Sequence, residues 1–390
     1  MKNNLVTAVV AVTAFCIATD AQASKDAEVE KKPEVKTEET YPRVNLRGRF
    51  HVDAGWHDDD VTPLGDGFNN RRTRIGVRGR LAPDWSFIIE YDFAENGISA
   101  NDVRMNGRIG PGTLKIGQFK VPMGLNELTS SNSIPFIERA SNSNVIADSR
   151  RIGVGYDYHA GLYGLQSMLY GRSIGGKGDG DMPIGLAARV YGNPVKSDGL
   201  FLHIGGSVAY ENRQDYDTLR FRDRPEARAD AGIRLVDTGS IEDVTSTLKI
   251  GAELAFLTGP FSVEAEYLMA DIVREVGPEP RFNGYHVQAS YVLTGESRVY
   301  RNGVFRGVTP ENAWGAFEAA ARWSSINLTD SDFQGGKQEN ITLGLNYYLA
   351  NNIRFMANYI LVNVRERDPA GEFGAEESPQ IVIVRGQFNF

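Results

Sequence analysis

The stretch Gln380-Ile381-Val382-Ile383-Val384-Arg385-Gly386-Gln387-Phe388-Asn389-Phe390 decides the fold class of this chain of 390 residues. Successive side chains of a β-strand point to opposite faces. One face of this stretch is apolar, and it carries Val382, Val384, Phe388 and Phe390. The other face begins with isoleucines and ends with Arg385, Gln387 and Asn389. An apolar face opposite a face that becomes polar predicts a strand of a membrane β-barrel, with lipid outside and water inside.

The same period of two recurs from Arg43 onward. The clearest segments are residues 44–56, 71–81, 85–93, 261–269 and 341–349. Each has about the 9–11 residues that a tilted membrane strand needs. Phe390 also resembles the terminal aromatic signal of bacterial outer-membrane proteins. We therefore predict an all-β fold, a transmembrane antiparallel β-barrel of about 16 strands.

Short and long connections alternate between these segments. The short ones carry turn residues, as in residues 82–84, 110–112, 159–161, 258–260 and 351–352. The long ones cover roughly residues 58–69, 122–149, 171–183, 211–245, 271–281, 330–338 and 365–379. This alternation is typical of outer-membrane barrels, whose short turns are periplasmic. Residues 295–312 break the rule, because they are long where a short turn is expected. Either the strand count is off there or this turn folds into the lumen.

The N-terminal residues predict export. Lys2, the apolar run from Leu5 to Ala18 and the small residues Ala21 and Ala23 predict a signal peptide over residues 1–23. Residues 24–40 are rich in charge and predict a flexible periplasmic leader. Residues 41–390 form the predicted barrel domain, located in the bacterial outer membrane after cleavage of the signal peptide. The single cysteine, Cys16, lies in the signal peptide, so we expect no disulfide.

Composition and motifs give little support to other classes of protein. The net charge of -8 argues against a nucleic-acid partner. Residues 171–175 match a nucleophile elbow by their letters, but no helix pattern follows them. The five histidines are scattered without metal-ligand spacing. We therefore expect neither an enzyme nor a cofactor or metal site.

A barrel of ~16 strands leaves an aqueous channel, and one long segment bears on its selectivity. In an extended backbone Arg220, Arg222 and Arg224 project to one side at ~6–7 Å intervals. Guanidinium groups bind phosphate oxygens in pairs, and rings of Arg or Lys line anion and phosphate pores. Asp223 and Glu226 lie in the same segment. An exposed loop of mixed charge therefore remains an equal alternative to a pore lining.

Several motifs together resemble the phosphate-selective porin O and P family, over nearly all of residues 43–390. They are Arg71-Arg72-Thr73-Arg74-Ile75-Gly76-Val77, Glu90-Tyr91-Asp92-Phe93, Gly117-Gln118-Phe119-Lys120-Val121-Pro122, Phe136-Ile137-Glu138-Arg139, Arg150-Arg151-Ile152-Gly153-Val154-Gly155-Tyr156, Arg220-Phe221-Arg222-Asp223-Arg224-Pro225-Glu226, Leu293-Thr294-Gly295-Glu296-Ser297-Arg298 and Thr342-Leu343-Gly344-Leu345-Asn346-Tyr347-Tyr348.

The resemblance implies a trimeric barrel of sixteen strands, whose inward-folded loops form a narrow anion eyelet reached by an arginine ladder. Asp92 would orient the cationic groups. Arg71 has the outward parity of its strand and needs a β-bulge or a rim position. Matched onto this chain, the implied eyelet residues are Arg71, Arg72, Asp92, Lys120 and Arg139. The implied ladder residues are Arg220, Arg222, Arg224 and Arg228, with Arg47 on the first strand.

Together these observations predict a passive outer-membrane channel for anions, favouring phosphate or polyphosphate through a constriction lined by Arg and Lys. The expected surroundings are outer-membrane lipid and lipopolysaccharide, and the expected assembly is a homotrimer. The alternatives are a general non-selective porin and a structural or adhesive outer-membrane barrel.

Overall fold

The computed structural model describes residues 40–94, 97–176, 182–197, 200–213, 218–229, 232–368 and 374–390. The predicted signal peptide and nearly all of the predicted leader lie outside these residues, so both stay predictions. The described residues form twenty strands and two short helices. In chain order they are β1 Arg43–Asp58, β2 Gly67–Ala82, β3 Trp85–Asp92, β4 Ser99–Ile109, β5 Gly112–Lys120, α1 Leu125–Leu128, α2 Ser141–Ile146, β6 Arg150–His159, β7 Tyr163–Tyr170, β8 Ile184–Ser197, β9 Leu200–Asn212, β10 Arg222–Asp223, β11 Val236–Asp237, β12 Val244–Thr258, β13 Phe261–Arg274, β14 Arg281–Val292, β15 Tyr300–Arg301, β16 Val304–Phe305, β17 Ala316–Asp330, β18 Phe333–Ala350, β19 Ile353–Arg367 and β20 Gln380–Asn389.

Sixteen of these strands close into one barrel, which confirms the predicted fold class. The barrel contains β1 to β9, β12 to β14 and β17 to β20, each hydrogen-bonded to the next in sequence and antiparallel to it. Closure pairs every backbone group within the sheet and leaves no open edge. The pairs β10–β11 and β15–β16 are two small ribbons in the connections. Among the described residues, no helix is long and apolar enough to cross a membrane.

The two faces of β20 differ as its sequence predicts. Val382 and Phe388 point outward and are 43% and 41% exposed, whereas Ile381 and Ile383 point inward and are fully buried. These inward isoleucines pack in an apolar cluster that includes Ile137 from a loop inside the barrel. The inward face of β20 therefore begins apolar because a loop covers it there.

The barrel closes where β1 pairs with β20, with Phe50 opposite Phe388. The backbones of Gly48 and Phe390 exchange two hydrogen bonds, of 3.0 and 3.1 Å. The ring of Phe390 lies over Gly48, so that a Cβ at position 48 would come within 2.2 Å of a ring carbon. A larger residue at position 48 would therefore force the ring of Phe390 to move.

Most connections follow the predicted alternation, and the exceptions are at residues 330–338 and 295–312. The prediction of a long connection at residues 330–338 is wrong, because β17 runs to Asp330 and β18 begins at Phe333. A two-residue turn joins them, and Ser331 takes the left-handed backbone conformation with a φ of 55°. The strand count around residues 295–312 was right, and this connection folds into the lumen.

Within the described residues, three connections enter the lumen. The inner loop is residues 121–149, between β5 and β6. The ladder loop is the described part of residues 213–243, between β9 and β12. The inserted hairpin is residues 293–315, between β14 and β17, and it contains β15 and β16.

The inner loop lies against β13 and β17 to β20. Asn126 donates to Glu264 at 2.8 Å, and the backbone N–H of Ile137 donates to Asn358 at 2.8 Å. Arg354 donates to the carbonyl of Ile134 at 2.9 Å. Because buried backbone groups need partners, these polar wall positions fix the path of the loop.

The other two segments fill the same side of the lumen. In the ladder loop, Glu226 accepts hydrogen bonds from Arg322 and, at 2.5 Å, from the hydroxyl of Ser324. In the inserted hairpin, Arg189 donates to the carbonyl of Gly303 at 2.7 Å, and Phe305 packs in a cluster with Leu125 of the inner loop and Ala255. We call the part of the barrel wall formed by β8, β9, β12 to β14 and β17 to β20 the plugged half. The part formed by β1 to β7 is the open half.

Candidate functional site

A cavity of about 460 Å³ lies against the open half. Its described lining comes from β1 to β7, the inner loop and the inserted hairpin. Nine arginines and two lysines line it, against three carboxylates, those of Glu90, Asp102 and Asp157. The cations are Arg47, Arg49, Arg72, Arg74, Arg78, Arg104, Arg139, Arg150, Arg306, Lys115 and Lys120.

Strand register stacks part of this charge into a row along β1 and β2. Arg49 is directly opposite Arg74, and His51 is directly opposite Arg72. The next inward position of β1 after Arg49 is Arg47, and the one after that is Asn45. Arg78 of β2 is directly opposite Asn45. Inward positions of a strand are ~6–7 Å apart, so this row spans four levels of the wall. We call it the arginine row.

A β-bulge brings Arg71 into the lumen together with Arg72. The register between β1 and β2 shifts after His51, which pairs with Arg72, while Val52 pairs with Asn70. Arg71 is therefore the extra residue, and both neighbouring arginines become buried inside the barrel. This is the bulge that the outward parity of Arg71 required.

Some cations of the cavity are held by carboxylates. Arg47 pairs with Glu90 at 3.0 Å, and Arg74 donates to Asp92 at 2.7 Å. Two further pairs join Arg150 to Asp102 at 2.9 Å and Lys115 to Asp157. Like charges facing each other across neighbouring strands repel, so these carboxylates stabilise a wall that would otherwise be electrostatically strained.

Other cations have no carboxylate partner within the described part of the chain. Arg49 donates to the hydroxyl of Ser131 at 2.9 Å, and a terminal nitrogen of Arg72 lies 3.4 Å from Nδ1 of His51. Neither neutral partner cancels a positive charge. This set, which keeps its charge for the cavity, comprises Arg49, Arg72, Arg78, Arg104 and Arg306.

Lys120 and Arg139 line the cavity and also hold the inner loop around α1. Both contact the carboxylate of Glu127, at 3.1 and 3.0 Å, and Arg139 donates to the carbonyl of Thr129 at 2.7 Å. Burial alone would raise the pKa of Glu127, but Arg139 and Lys120 keep this pKa below its ordinary value. Glu127 therefore stays ionised between its two cations.

The predicted eyelet residues are brought together only in part. Arg72, Lys120 and Arg139 line the cavity, whereas Arg71 donates to Glu138 at 2.7 Å and does not line it. Asp92 lies behind Arg74 and orients that guanidinium, in addition to accepting from the N–H of Thr73 at 3.1 Å. The eyelet assignment stays a prediction.

Of the predicted ladder residues, Arg47 lines the cavity. Arg220 is held by two hydrogen bonds to Asp237, of 2.7 and 2.6 Å. Arg228 lies 3.8 Å from Glu138. Arg220, Arg222, Arg224 and Arg228 all belong to the ladder loop and lie outside the lining of this cavity. Their role as a ladder also stays a prediction.

The sequence reasoning missed several cavity cations. Arg49, Arg74 and Arg78 occupy inward positions of the first two strands, so their parity was a signal for them. Arg306 had no such signal, because it lies in the connection whose path the sequence left open. The others that were missed are Arg104, Lys115 and Arg150.

Known proteins share both the sequence pattern and the barrel. The family model described as phosphate-selective porin O and P matches residues 44–390. Porin O of Pseudomonas aeruginosa is 28% identical over 372 residues, which cover 84% of each chain. An anion-selective porin from Comamonas acidovorans has a TM-score of 0.57 at 15% identity, covering 90% of this chain and 100% of that one. OmpT of Vibrio cholerae in its trimer form has a TM-score of 0.55 at 12% identity, covering 90% and 100%. The two structural matches support the fold, and the family match shows that this chain belongs to the phosphate-selective porin O and P family of bacterial outer-membrane channels.

Proposed function

We propose that this channel passes anions passively and favours phosphate or polyphosphate. The observation that carries the proposal is the set of cavity cations without a carboxylate partner among the described residues, Arg49, Arg72, Arg78, Arg104 and Arg306. Uncompensated positive charge in a narrow cleft raises the local concentration of anions and lowers the cost of removing their water. A cation entering the same cavity meets repulsion at several levels of the wall.

The arginine row supports phosphate over a spherical anion. A guanidinium presents a planar fork of donors that matches two oxygens of one phosphate. The successive inward positions that carry the guanidinium groups are ~6–7 Å apart. A moving phosphate can therefore contact the next guanidinium before it has left the previous one. A chain of phosphates would contact several levels at once. The description of the family as phosphate-selective agrees with this chemistry.

The remaining predicted residues take complementary roles in this proposal. The eyelet presents Arg72, Lys120 and Arg139 to the anion where the inner loop narrows the path, while Asp92 orients Arg74 and Arg71 is held by Glu138. The ladder arginines Arg220, Arg222, Arg224 and Arg228 attract anions toward it from the long-loop end, with Arg47 on the wall beyond. The trimer form of the similar OmpT barrel supports a homotrimer in outer-membrane lipid and lipopolysaccharide.

Planar-bilayer recordings of the full chain test the proposal. We expect a reversal potential in a potassium chloride gradient that reports anion preference, and a chloride current that phosphate blocks in a saturable manner, because a binding site must both admit and release its ion. Equal permeability to potassium and chloride, without block by phosphate, would favour the general porin instead.

A further inference from the structure

Glu138 of the inner loop lies at the centre of a buried cluster of arginines. Its side chain is 3% exposed. Arg71 donates to both of its oxygens, at 2.7 and 3.1 Å, and Arg385 donates to one of them at 2.9 Å. Arg228 lies 3.8 Å away. Burial opposes ionisation, yet these cations and Arg72 hold the pKa of Glu138 well below its ordinary value. Glu138 therefore stays ionised, close to Arg72 in the wall of the cavity.

This carboxylate separates the functions of two adjacent arginines. Arg71 and Arg72 enter the lumen together through the bulge. The guanidinium of Arg71 is turned to Glu138 in a bidentate pair, whereas Arg72 lines the cavity and has no carboxylate partner among the described residues. An opposite charge at hydrogen-bond distance cancels most of the field of a cation at longer range. An anion in the cavity therefore experiences mainly Arg72 at this level.

The third arginine of the cluster is compensated in a similar way. Arg385 donates two hydrogen bonds to Asp53, at 2.6 and 2.7 Å, before it reaches Glu138. Without Glu138, one more unit of positive charge would lie next to Arg72. Conduction requires an ion to bind tightly enough to enter and weakly enough to leave. An additional cation here shifts this balance toward retention of the ion.

We propose that Glu138 sets the anion affinity of the constriction, by neutralising Arg71 and so limiting how tightly a phosphate is held beside Arg72. Glu138 does not contact the anion in this proposal; it acts through the arginines. The inference rests on the proposed anion channel and deepens it, because it names the residue that keeps a phosphate site fast enough to conduct.

The test is Glu138→Gln in the full chain, recorded in planar bilayers. Glutamine keeps the size of the side chain and removes the charge. We expect the phosphate concentration that half-blocks the chloride current to fall by about fivefold, because one added unit of charge acts within a narrow cleft. We also expect the phosphate current at saturation to fall, since release becomes slower.

Glu377→Gln is the matched control. Glu377 is also buried, pairs with Arg367 at 2.5 Å and accepts from the hydroxyl of Thr62 at 2.7 Å. It lies in the loop between β19 and β20, outside the cavity lining. The same change of charge there should leave the half-blocking concentration of phosphate unaltered.

A double-mutant comparison separates charge from loop anchoring. Arg71→Gln leaves Glu138 undercompensated and should weaken block by phosphate, while Arg71→Gln with Glu138→Gln should return it to the wild-type range. If Glu138 only anchors the loop, Glu138→Gln will instead raise the current of chloride and of neutral sugars without tighter block, and that result overturns the inference. If Glu138→Gln does not assemble, wild-type block in Arg71→Gln overturns it equally.

Failure of the inference can be told from failure of the proposed function. A wild-type channel without anion preference or phosphate block refutes both. A wild-type channel that phosphate blocks, together with unchanged block in Glu138→Gln, refutes the role of Glu138 and leaves the anion channel intact.

Discussion

The open half and the plugged half of the barrel both direct arginines into the lumen, but they use them differently. In the plugged half, Arg189 pairs with Glu253 at 2.6 Å and Arg322 pairs with Glu226. Both arginines also donate to carbonyls of inserted segments, at 2.7 and 3.0 Å. In the open half, Arg49 and Arg72 meet only neutral partners among the described residues.

The difference shows that the inserted segments decide what an inward arginine does. Where an inserted segment brings a carbonyl and a loop or a strand brings a carboxylate, the arginine becomes an anchor, and removing one member of such a buried pair is costly. Where the inner loop brings only a hydroxyl, as Ser131 does to Arg49, the side chain keeps its charge for a solute. The position of an arginine on a strand therefore does not by itself define its role.

The largest effect should come from removing charge in the open half. We expect Arg49→Gln, Arg72→Gln and Arg104→Gln together to lower the permeability of anions relative to cations by about tenfold or more at low salt. Reversal potentials in a potassium chloride gradient measure this ratio. The effect should shrink at 1 M salt, where the Debye length is ~3 Å.

The matched triple variant lies in the ladder loop. It combines Arg220→Gln, Arg222→Gln and Arg224→Gln. We expect anion permeability at low salt to fall by only about twofold, because Asp237 already compensates the charge of Arg220. If the two triple variants lose equal selectivity, the cavity cations are not the main determinant.

Breaking an anchor in the plugged half should have the next largest effect. Arg322→Ala leaves Glu226 buried without its guanidinium, a loss of ~3–5 kcal/mol for pairs of this kind, and it removes the cation stacked 4.3 Å from the ring of Phe136. We expect the inner and ladder loops to detach, which should raise single-channel conductance and current noise. Arg281→Ala, which removes the exposed pair with Asp271, should change neither quantity. Quiet wild-type currents in Arg322→Ala would show that the loops do not need this anchor.

A smaller effect is expected at the inserted hairpin. Gly303 has a φ of 77°, and a Cβ there would lie 2.5 Å from the ring of Tyr191 and 2.8 Å from a nitrogen of Arg189. Gly303→Ala should displace the hairpin and move Arg306 away from the cavity, at a cost of ~1–3 kcal/mol of strain. We expect higher conductance with a modest loss of anion preference. Gly307→Ala is the control, because the nearest atom to its Cβ would be 3.9 Å away. Identical conductance in the two variants would place the hairpin outside the path.

The smallest effect concerns pH. Burial, assisted by Glu226, raises the pKa of Asp223 in the ladder loop to about 7, against the opposing influence of Ser141 and Arg228. The docked loop then holds a proton that an undocked loop loses above its ordinary pKa near 3.8. Docking should weaken as pH rises from 4 to 7 and then level off. Protease cleavage of the loop should be faster at pH 8 than at pH 5, and Asp223→Asn should abolish this difference. Wild-type cleavage rates that are equal at both pH values would contradict the assignment.

Much of the fold follows from sequence, because a strand that faces lipid on one side must alternate. The alternation in residues 380–390 and 44–56 survives in the structure, and the count of sixteen strands is confirmed. The lengths of the connections were harder to predict from the sequence. Residues 330–338 are mostly polar and rich in glycine, which predicted a long loop, but a two-residue turn joins Asp330 to Phe333 and the rest of the segment belongs to β18.

The site was less predictable, since parity gives the direction of a side chain and not what meets it. Arg74 and Arg72 have the same inward direction, but among the described residues Arg74 forms an ion pair, with Asp92, and Arg72 forms none. Arg71 has the opposite parity and enters the lumen through a β-bulge, which the neighbouring sequence does not predict. Which arginines stay available depends on loops that return from distant parts of the chain.

The inner loop has a consequence for how the barrel is assembled. It leaves the wall after β5, yet it bonds to residues 138, 221 and 247 positions away, namely Glu264, Asn358 and Arg385. Contacts of such long separation form late in folding. The loop therefore cannot be fully seated until the later strands that carry its partners are in place. Seating of the inner loop is thus a property of the completed barrel, because Asn358 and Arg385, which hold it, lie on the last two strands.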